Sequence, residues 1–238
     1  MAFFSGTSTG YSPVKQPVQM MMHGYKSSAE RDFCGGLQIA VQGGFYVLLV
    51  DQRAHGKSEG KRLTFGILER YDCRAWVKYA VGRFGAGGKI FLYGVPMGAA
   101  AVLMAGGLVL PHNVVGIVAD CGYSSPAGII QKVIRDRHLP VFPVYHLICL
   151  GGKLFGGFDL ESATVTEALA HCQIPVLLIH GGDDRFVPCE MGRENYAHCA
   201  APSKRLLIVP GAGHGLSYLV DRGAYLTALE SFTSSVLR

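Results

Sequence analysis

The feature that most constrains this chain is a regular alternation of short apolar runs with segments of helix length. Six runs have the length and composition of buried strands: Val18–His23, Phe45–Asp51, Lys89–Gly94, Val114–Asp120, Pro175–Gly181 and Arg205–Pro210. Between them stand helical patterns at Ala29–Gln42, Gly66–Phe84, Gly98–Leu108, Met191–Cys199 and Asp221–Leu237. Alternation of this kind builds an α/β fold, a mostly parallel sheet with helices on both faces. Such a sheet is buried on both sides, and a content of 49% hydrophobic and 16% charged residues suits that. The 238 residues are enough for one well-buried domain, 1–238, and too few for two comfortable ones. Open parallel sheets bind ligands beyond the carboxyl ends of their strands, so the loops that follow the runs are where chemistry is expected.

One segment breaks the alternation. Residues 124–172 offer no clear strand and carry Pro126, Pro140 and Pro143 together with Gly151, Gly152, Gly156 and Gly157. A long insertion in a compact domain is usually functional, and this one is expected to be a helical lid. Its apolar residues, among them Ile129, Val133, Leu139, Phe142, Leu147 and Phe155, suit a cover over an acyl or aromatic group. The first seventeen residues are rich in Ser, Thr, Gly and Pro, and are expected to be poorly ordered and to supply no strand.

Several function classes fall away on composition. The net charge of +5 is mild, and the densest basic stretch, Arg53, Lys57, Lys61 and Arg62, interleaves with Asp51 and Glu59. That is a solvated loop, not a nucleic-acid surface. Seven scattered cysteines without C-x-x-C spacing point to a reduced, cytoplasmic interior instead of a disulfide or zinc framework. The nine histidines show no H-x-x-x-H or H-E-x-x-H spacing, so no metal or other cofactor is expected. No signal peptide is evident, and the longest uncharged run, from Ile90, is broken by Pro96, Pro111 and several glycines, so no membrane span is expected.

Gly94-Val95-Pro96-Met97-Gly98 follows a strand and opens a helix, the setting of a G-x-S-x-G nucleophile elbow. Alone the string is weak; its place between an apolar strand and Ala99-Ala100-Ala101 strengthens it. Asp184 follows the strand Pro175–Gly181, and His214 follows the last strand inside Gly211-Ala212-Gly213-His214-Gly215. A lone Asp in a turn is usually a cap and a lone His in a glycine-rich loop usually sits on the surface. Together they reproduce the order nucleophile, acid, base. His214 would be the general base and Asp184 the residue that holds its imidazole in the right tautomer. The backbone N–H groups of Tyr25, after His23-Gly24, and of Met97 are expected to form an oxyanion hole. Phe142 and Phe186 are the candidate substrate contacts. Asp51, His55 and Ser58 invite a second triad, but lie so close in sequence that local hydrogen bonds should claim them.

The stretches HGYKSS, DQRAHGKSEG, GVPMGAA, ADCGYSS, IPVLLIHGGDDRFVP and VPGAGHGLSY resemble one bacterial family over Val18–Arg238. It is the α/β-hydrolase family of serine esterases and lipases related to the S9-type peptidase hydrolases. The resemblance implies an α/β-hydrolase fold and hydrolysis of carboxylic esters, with His214 as base and Asp184 as acid. The chain departs from the pattern at the nucleophile, where Pro96 stands for the expected serine. Proline has no hydroxyl to acylate. It also fixes φ near −65°, whereas an elbow nucleophile sits at positive φ, so the turn should relax or re-route and carry the Met97 N–H away. Val95 should be pushed to an extended conformation. Ser124, Ser125 and Cys121, at the same sheet edge, are the remaining hydroxyl or thiol candidates. Relatives carry two antiparallel strands ahead of Val18, and these strands look missing here. That would leave a sheet edge open to pairing with a second copy as a homodimer. The sequence thus points to an esterase scaffold for small-molecule esters that is impaired at Pro96, or else to a non-catalytic protein binding a small apolar ligand under the lid.

Overall fold

A computed structural model of the protein describes residues 2–5, 16–85 and 87–238. Among these residues seven strands form one sheet: β1 (Ala2–Ser5), β2 (Val18–Met22), β3 (Tyr46–Val50), β4 (Ile90–Gly94), β5 (Val114–Asp120), β6 (Val176–Gly181) and β7 (Lys204–Val209). Their order is β1-β3-β2-β4-β5-β6-β7, and every neighbouring pair except β1–β3 is parallel. Among the described residues ten α-helices connect and flank them: α1 (Ala29–Phe33), α2 (Gly36–Gln42), α3 (Glu69–Phe84), α4 (Pro96–Gly106), α5 (Pro126–Asp136), α6 (Val141–Gly151), α7 (Val165–Ala170), α8 (Cys189–His198), α9 (Ser217–Val220) and α10 (Arg222–Leu237). A π-helical turn, Gly152–Gly156, extends α6.

The strands alternate their side chains between two cores, as a period of two requires. Met20, Met22, Leu48 and Leu92 face α3 and α4, while Met21, Leu49, Phe91 and Tyr93 pack with Phe33, Tyr225 and Phe232 on the other side. Helix α4 is apolar all round and buried from Met97 to Gly106, as a helix wedged between sheet and neighbouring helices must be. Burying a side chain such as Phe232 contributes about 1.5–3 kcal/mol.

Three expectations need correction. The N-terminus does supply a strand: Ala2–Ser5 pairs antiparallel with β3, Ala2 opposite Val50. Four apolar and small residues make no strand alone, and the hydrogen-bonding edge of β3 provides the template. With that edge covered, β2 and β3 are both interior and the premise for dimerisation through them is gone; residues 6–15 lie outside the described residues. The helix read over Ala29–Gln42 is two, broken at Cys34-Gly35. Helix α3 begins at Glu69, not Gly66. Phe65 and Gly66 take positive φ, and the buried Glu69 carboxylate accepts the N–H groups of Thr64 and Gly66 and the Thr64 hydroxyl. Those bonds close the loop ahead of the helix. Residues 124–172 contain no strand, only α5, α6, the π turn and α7. Among the described residues, no helix is long and apolar enough to cross a membrane.

Candidate active site

Asp184 and His214 meet at the carboxyl edge of the sheet. Asp184 lies in the loop after β6, its carboxylate fully buried. Oδ1 accepts the backbone N–H groups of Phe186 and Val187, both at 2.9 Å, and Oδ2 lies 2.8 Å from Nδ1 of His214. Burial alone would raise the Asp184 pKa; the bond and charge of His214 and the two N–H donors outweigh it and hold the carboxyl below its ordinary value. His214 stands in the turn after β7, made tight by Gly211 and Gly215 at φ of 75° and 68°. The Phe186 ring meets the imidazole edge-on at 4.9 Å. With Nδ1 committed to the carboxylate, Nε2 is the imidazole atom available to a ligand.

The strand-to-helix turn is tight for the expected reason. A Cβ on Gly98 would lie 2.5 Å from the Met22 carbonyl carbon, and one on Gly94 2.5 Å from the Ala99 nitrogen. Val95 is extended (φ −114°, ψ 156°), donates to the Met22 carbonyl at 3.1 Å and accepts from Ala99 at 3.0 Å. Pro96 is the first residue of α4, a position where its fixed φ and missing N–H are no disadvantage. It is not among the residues at positive φ, so the backbone here is relaxed. Met97 lines the same cavity as Pro96 and His214, and as a first-turn residue its N–H has no partner within the helix.

That cavity has a volume of about 910 Å³. Tyr25, Pro96, Met97, Phe186 and His214 line it, and Ile129, Ile130, Val133 and Ile134 of α5 form an apolar wall. Phe142, expected as a substrate contact, is not on the lining: it is 72% exposed, packed on His146, because its non-helical backbone at the start of α6 turns the ring outward. A second cavity, of about 550 Å³, lies near α3 around Arg53, Asp72 and Trp76. The Asp51–Ser58 loop is structural: Asp51 accepts from Ala29 and Lys57, Ser58 donates to the Asp51 carbonyl, and His55 accepts from Lys26.

Sequence reasoning missed a buried polar chain beneath the site. Asp120, at the end of β5, accepts the Tyr225 hydroxyl at 2.8 Å, and that hydroxyl bonds in turn to the hydroxyl of Tyr93. Burial raises the Asp120 carboxyl. Only the position of an Asp at a strand end pointed to it; Tyr225 is 105 residues away. Cys121 follows at positive φ, fully buried, with its thiol donating to Asp120 and accepting from the Gly215 N–H. Burial pushes that thiol far up, and Ser125 caps α5 while Ser124 is buried, so none of the three presents a nucleophile to the cavity. Cys121, His180 and Asp184 bring ligand atoms within 4.8 Å of one another. All are committed elsewhere: Nε2 of His180 to the Val187 carbonyl at 2.9 Å, the others as described.

The architecture defines a class. An esterase of Pyrococcus furiosus superposes with a TM-score of 0.76 at 24% identity, covering 95% of this chain and 85% of that one. The fold is that of the α/β-hydrolases. Within them the chain belongs to the family described as serine aminopeptidase, S33, whose model matches residues 15–142 and 158–218. Among curated proteins, the monoacylglycerol lipase of Mycolicibacterium smegmatis (strain ATCC 700084 / mc(2)155) is 26% identical over 83% of this chain and 80% of its own length. The uncharacterized protein YqkD of Bacillus subtilis (strain 168) is 26% identical over 81% of this chain, which spans 63% of that protein. The chain is thus an α/β-hydrolase of this family, similar to proteins named as an esterase and a lipase.

Proposed function

We propose that this chain is a carboxylic-ester hydrolase scaffold with an acid–base pair in place, Asp184 and His214, and no nucleophile at position 96. The observation that carries the reading is the 2.8 Å contact of His214 with a buried, doubly anchored Asp184, on a cavity whose wall includes Pro96. In an active version, Nε2 of His214 takes the proton of a serine hydroxyl as it attacks the ester carbonyl. The imidazolium formed is stabilised by Asp184. The N–H groups of Tyr25 and Met97 receive the developing oxyanion, and the helical segment 124–172 acts as the lid over the acyl group. Pro96 supplies neither hydroxyl nor the positive φ that would aim one, so acyl-enzyme formation does not occur.

The test is hydrolysis of p-nitrophenyl butyrate by the protein and by its Pro96→Ser variant. Activity is expected in the serine variant alone, and His214→Ala added to it should abolish that activity. Hydrolysis by the unaltered protein at the rate of the variant would refute the nucleophile assignment. One observation favours a second reading: the cavity with its apolar α5 wall is fully formed although Pro96, at the nucleophile position, offers it no hydroxyl, and the Ser27 hydroxyl on its lining is bonded to Asp32. A non-catalytic protein that binds a small apolar ligand would look this way, and inactivity of both proteins together with ligand binding would select it.

A further inference from the structure

The cavity beside His214 is apolar along one wall and cationic elsewhere on its lining. Ile129, Ile130, Val133 and Ile134 present one face of α5, and Ile148 of α6 joins them. Lys26, Arg31 and Arg137 line the same cavity, and all three are exposed. Lys26 lies in the turn after β2, Arg31 in α1, and Arg137 at the C-terminus of α5. Among the described residues none of the three forms an ion pair, whereas Arg53 is paired with Asp72, Lys132 with Asp136 and Lys153 with Asp159. Lys26 does lie over the Tyr25 ring, 5.3 Å from its centre, which leaves its charge uncompensated.

The acids on the lining do not balance these cations. There are two, Asp32 and Asp120. Asp32 is already engaged, accepting the Gly24 N–H at 2.7 Å and the Ser27 hydroxyl. Asp120 is buried, accepts the Tyr225 hydroxyl, and is driven toward its neutral form by burial. A neutral ester would gain nothing from three unpaired cations around an apolar wall. A ligand with a hydrocarbon chain and a negative head group would use both.

We infer that the cavity takes an anionic amphiphile, its chain against the isoleucine face of α5 and its carboxylate or phosphate head among Lys26, Arg31 and Arg137. The inference rests on the cavity being the ligand pocket of the proposed function, and it narrows the ligand from any apolar ester to an anionic one. Being exposed, the three cations act through a screened field, so the preference weakens with added salt.

Calorimetric titration with decanoate, decyl phosphate, 1-decanol and decyltrimethylammonium tests it, on the full chain and on a K26Q/R31Q/R137Q variant. At low salt at least one of the anions should bind about tenfold more tightly than decanol, the sum expected of three exposed charge contacts. The cationic amphiphile should bind more weakly than decanol. Decanoate against decyl phosphate distinguishes a carboxylate from a phosphate head. In the triple variant anion affinity should fall to that of decanol. The single Arg137→Glu variant, if the triple one fails to fold, should weaken the anions and strengthen the cationic amphiphile. Decanol binding as tightly as both anions, or a preference that survives the substitutions, overturns this inference and leaves the pocket reading in place. Failure of all four amphiphiles to bind, together with an inert Pro96→Ser variant, overturns both.

Discussion

Gly98→Ala is the substitution that most directly probes the strand-to-helix turn. The new Cβ would sit on the Met22 carbonyl oxygen, 2.5 Å from the carbonyl carbon and 2.8 Å from the His23 oxygen. Both are backbone atoms, one in the interior strand β2 and one just beyond it, so no side chain can rotate aside. Ordinary contact distances demand that α4 and β2 separate by about 1 Å. Helix α4 is buried from Met97 to Gly106 and cannot move without disturbing its packing on β4, β5 and α3. Overpacking of this kind costs about 3 kcal/mol or more, which for a domain of this size lowers Tm by about 6–12 °C. Gly82→Ala, in the exposed interior of α3 with nothing near its Cβ, is the control and should gain about 0.5–1 kcal/mol. Urea unfolding followed by circular dichroism measures both. A Gly98→Ala protein within about 0.5 kcal/mol of the parent would refute the claim that close backbone approach requires glycine there.

Tyr225→Phe removes the hydroxyl that Asp120 accepts and leaves a buried carboxyl short of a partner; a loss of about 1–3 kcal/mol in urea unfolding is expected, and an unchanged midpoint would contradict it. Because burial raises the folded Asp120 pKa, its contribution to stability is full below the unfolded value, about pH 4, and is lost as the pH rises through the folded value. Asp120→Asn cannot ionise, so its unfolding free energy relative to the parent should rise between acidic and neutral pH; parallel curves would remove the raised pKa from the account. Asp184 carries the opposite sign: its lowered pKa gives stability that is present at neutral pH and lost as the pH falls through the folded value, so Asp184→Asn should matter least in acid. Native labelling with a thiol reagent should modify Cys34 first, since it is exposed, and Cys121 only on unfolding; early modification of Cys121 would mean that the site opens.

How much of this was legible depended on whether the cause was local. The strand Val114–Asp120 was read to the residue, because its apolar run is bounded by Asn113 and by Cys121-Gly122. The pairing of Asp184 with His214 was expected from chain order alone, since each follows a strand at the same sheet edge. The break at Cys34-Gly35 escaped the reading of one helix over Ala29–Gln42, although two consecutive glycines, Gly35 and Gly36, stand inside that pattern. Strand β1 was not legible: Ala2-Phe3-Phe4-Ser5 is too short to form a strand alone and exists by pairing with β3. Nor was the Asp120–Tyr225–Tyr93 chain, whose members come from β5, α10 and β4 and are joined only by burial. Phe142 was misplaced because a hydrophobic residue in an insertion need not face inward.

The order of strands has a consequence for how the protein is made. From β2 across β4, β5, β6 and β7, position in the sheet follows position in the chain. Each new strand emerging from the ribosome finds its neighbour already synthesised, so the sheet can be laid down in courses without waiting for a distant partner. The site is finished last. Asp184 arrives with the loop after β6, His214 only after β7 has docked, and Tyr225 later still with α10. A chain stalled short of its final helix would hold its acid and base above a carboxyl still lacking its phenol.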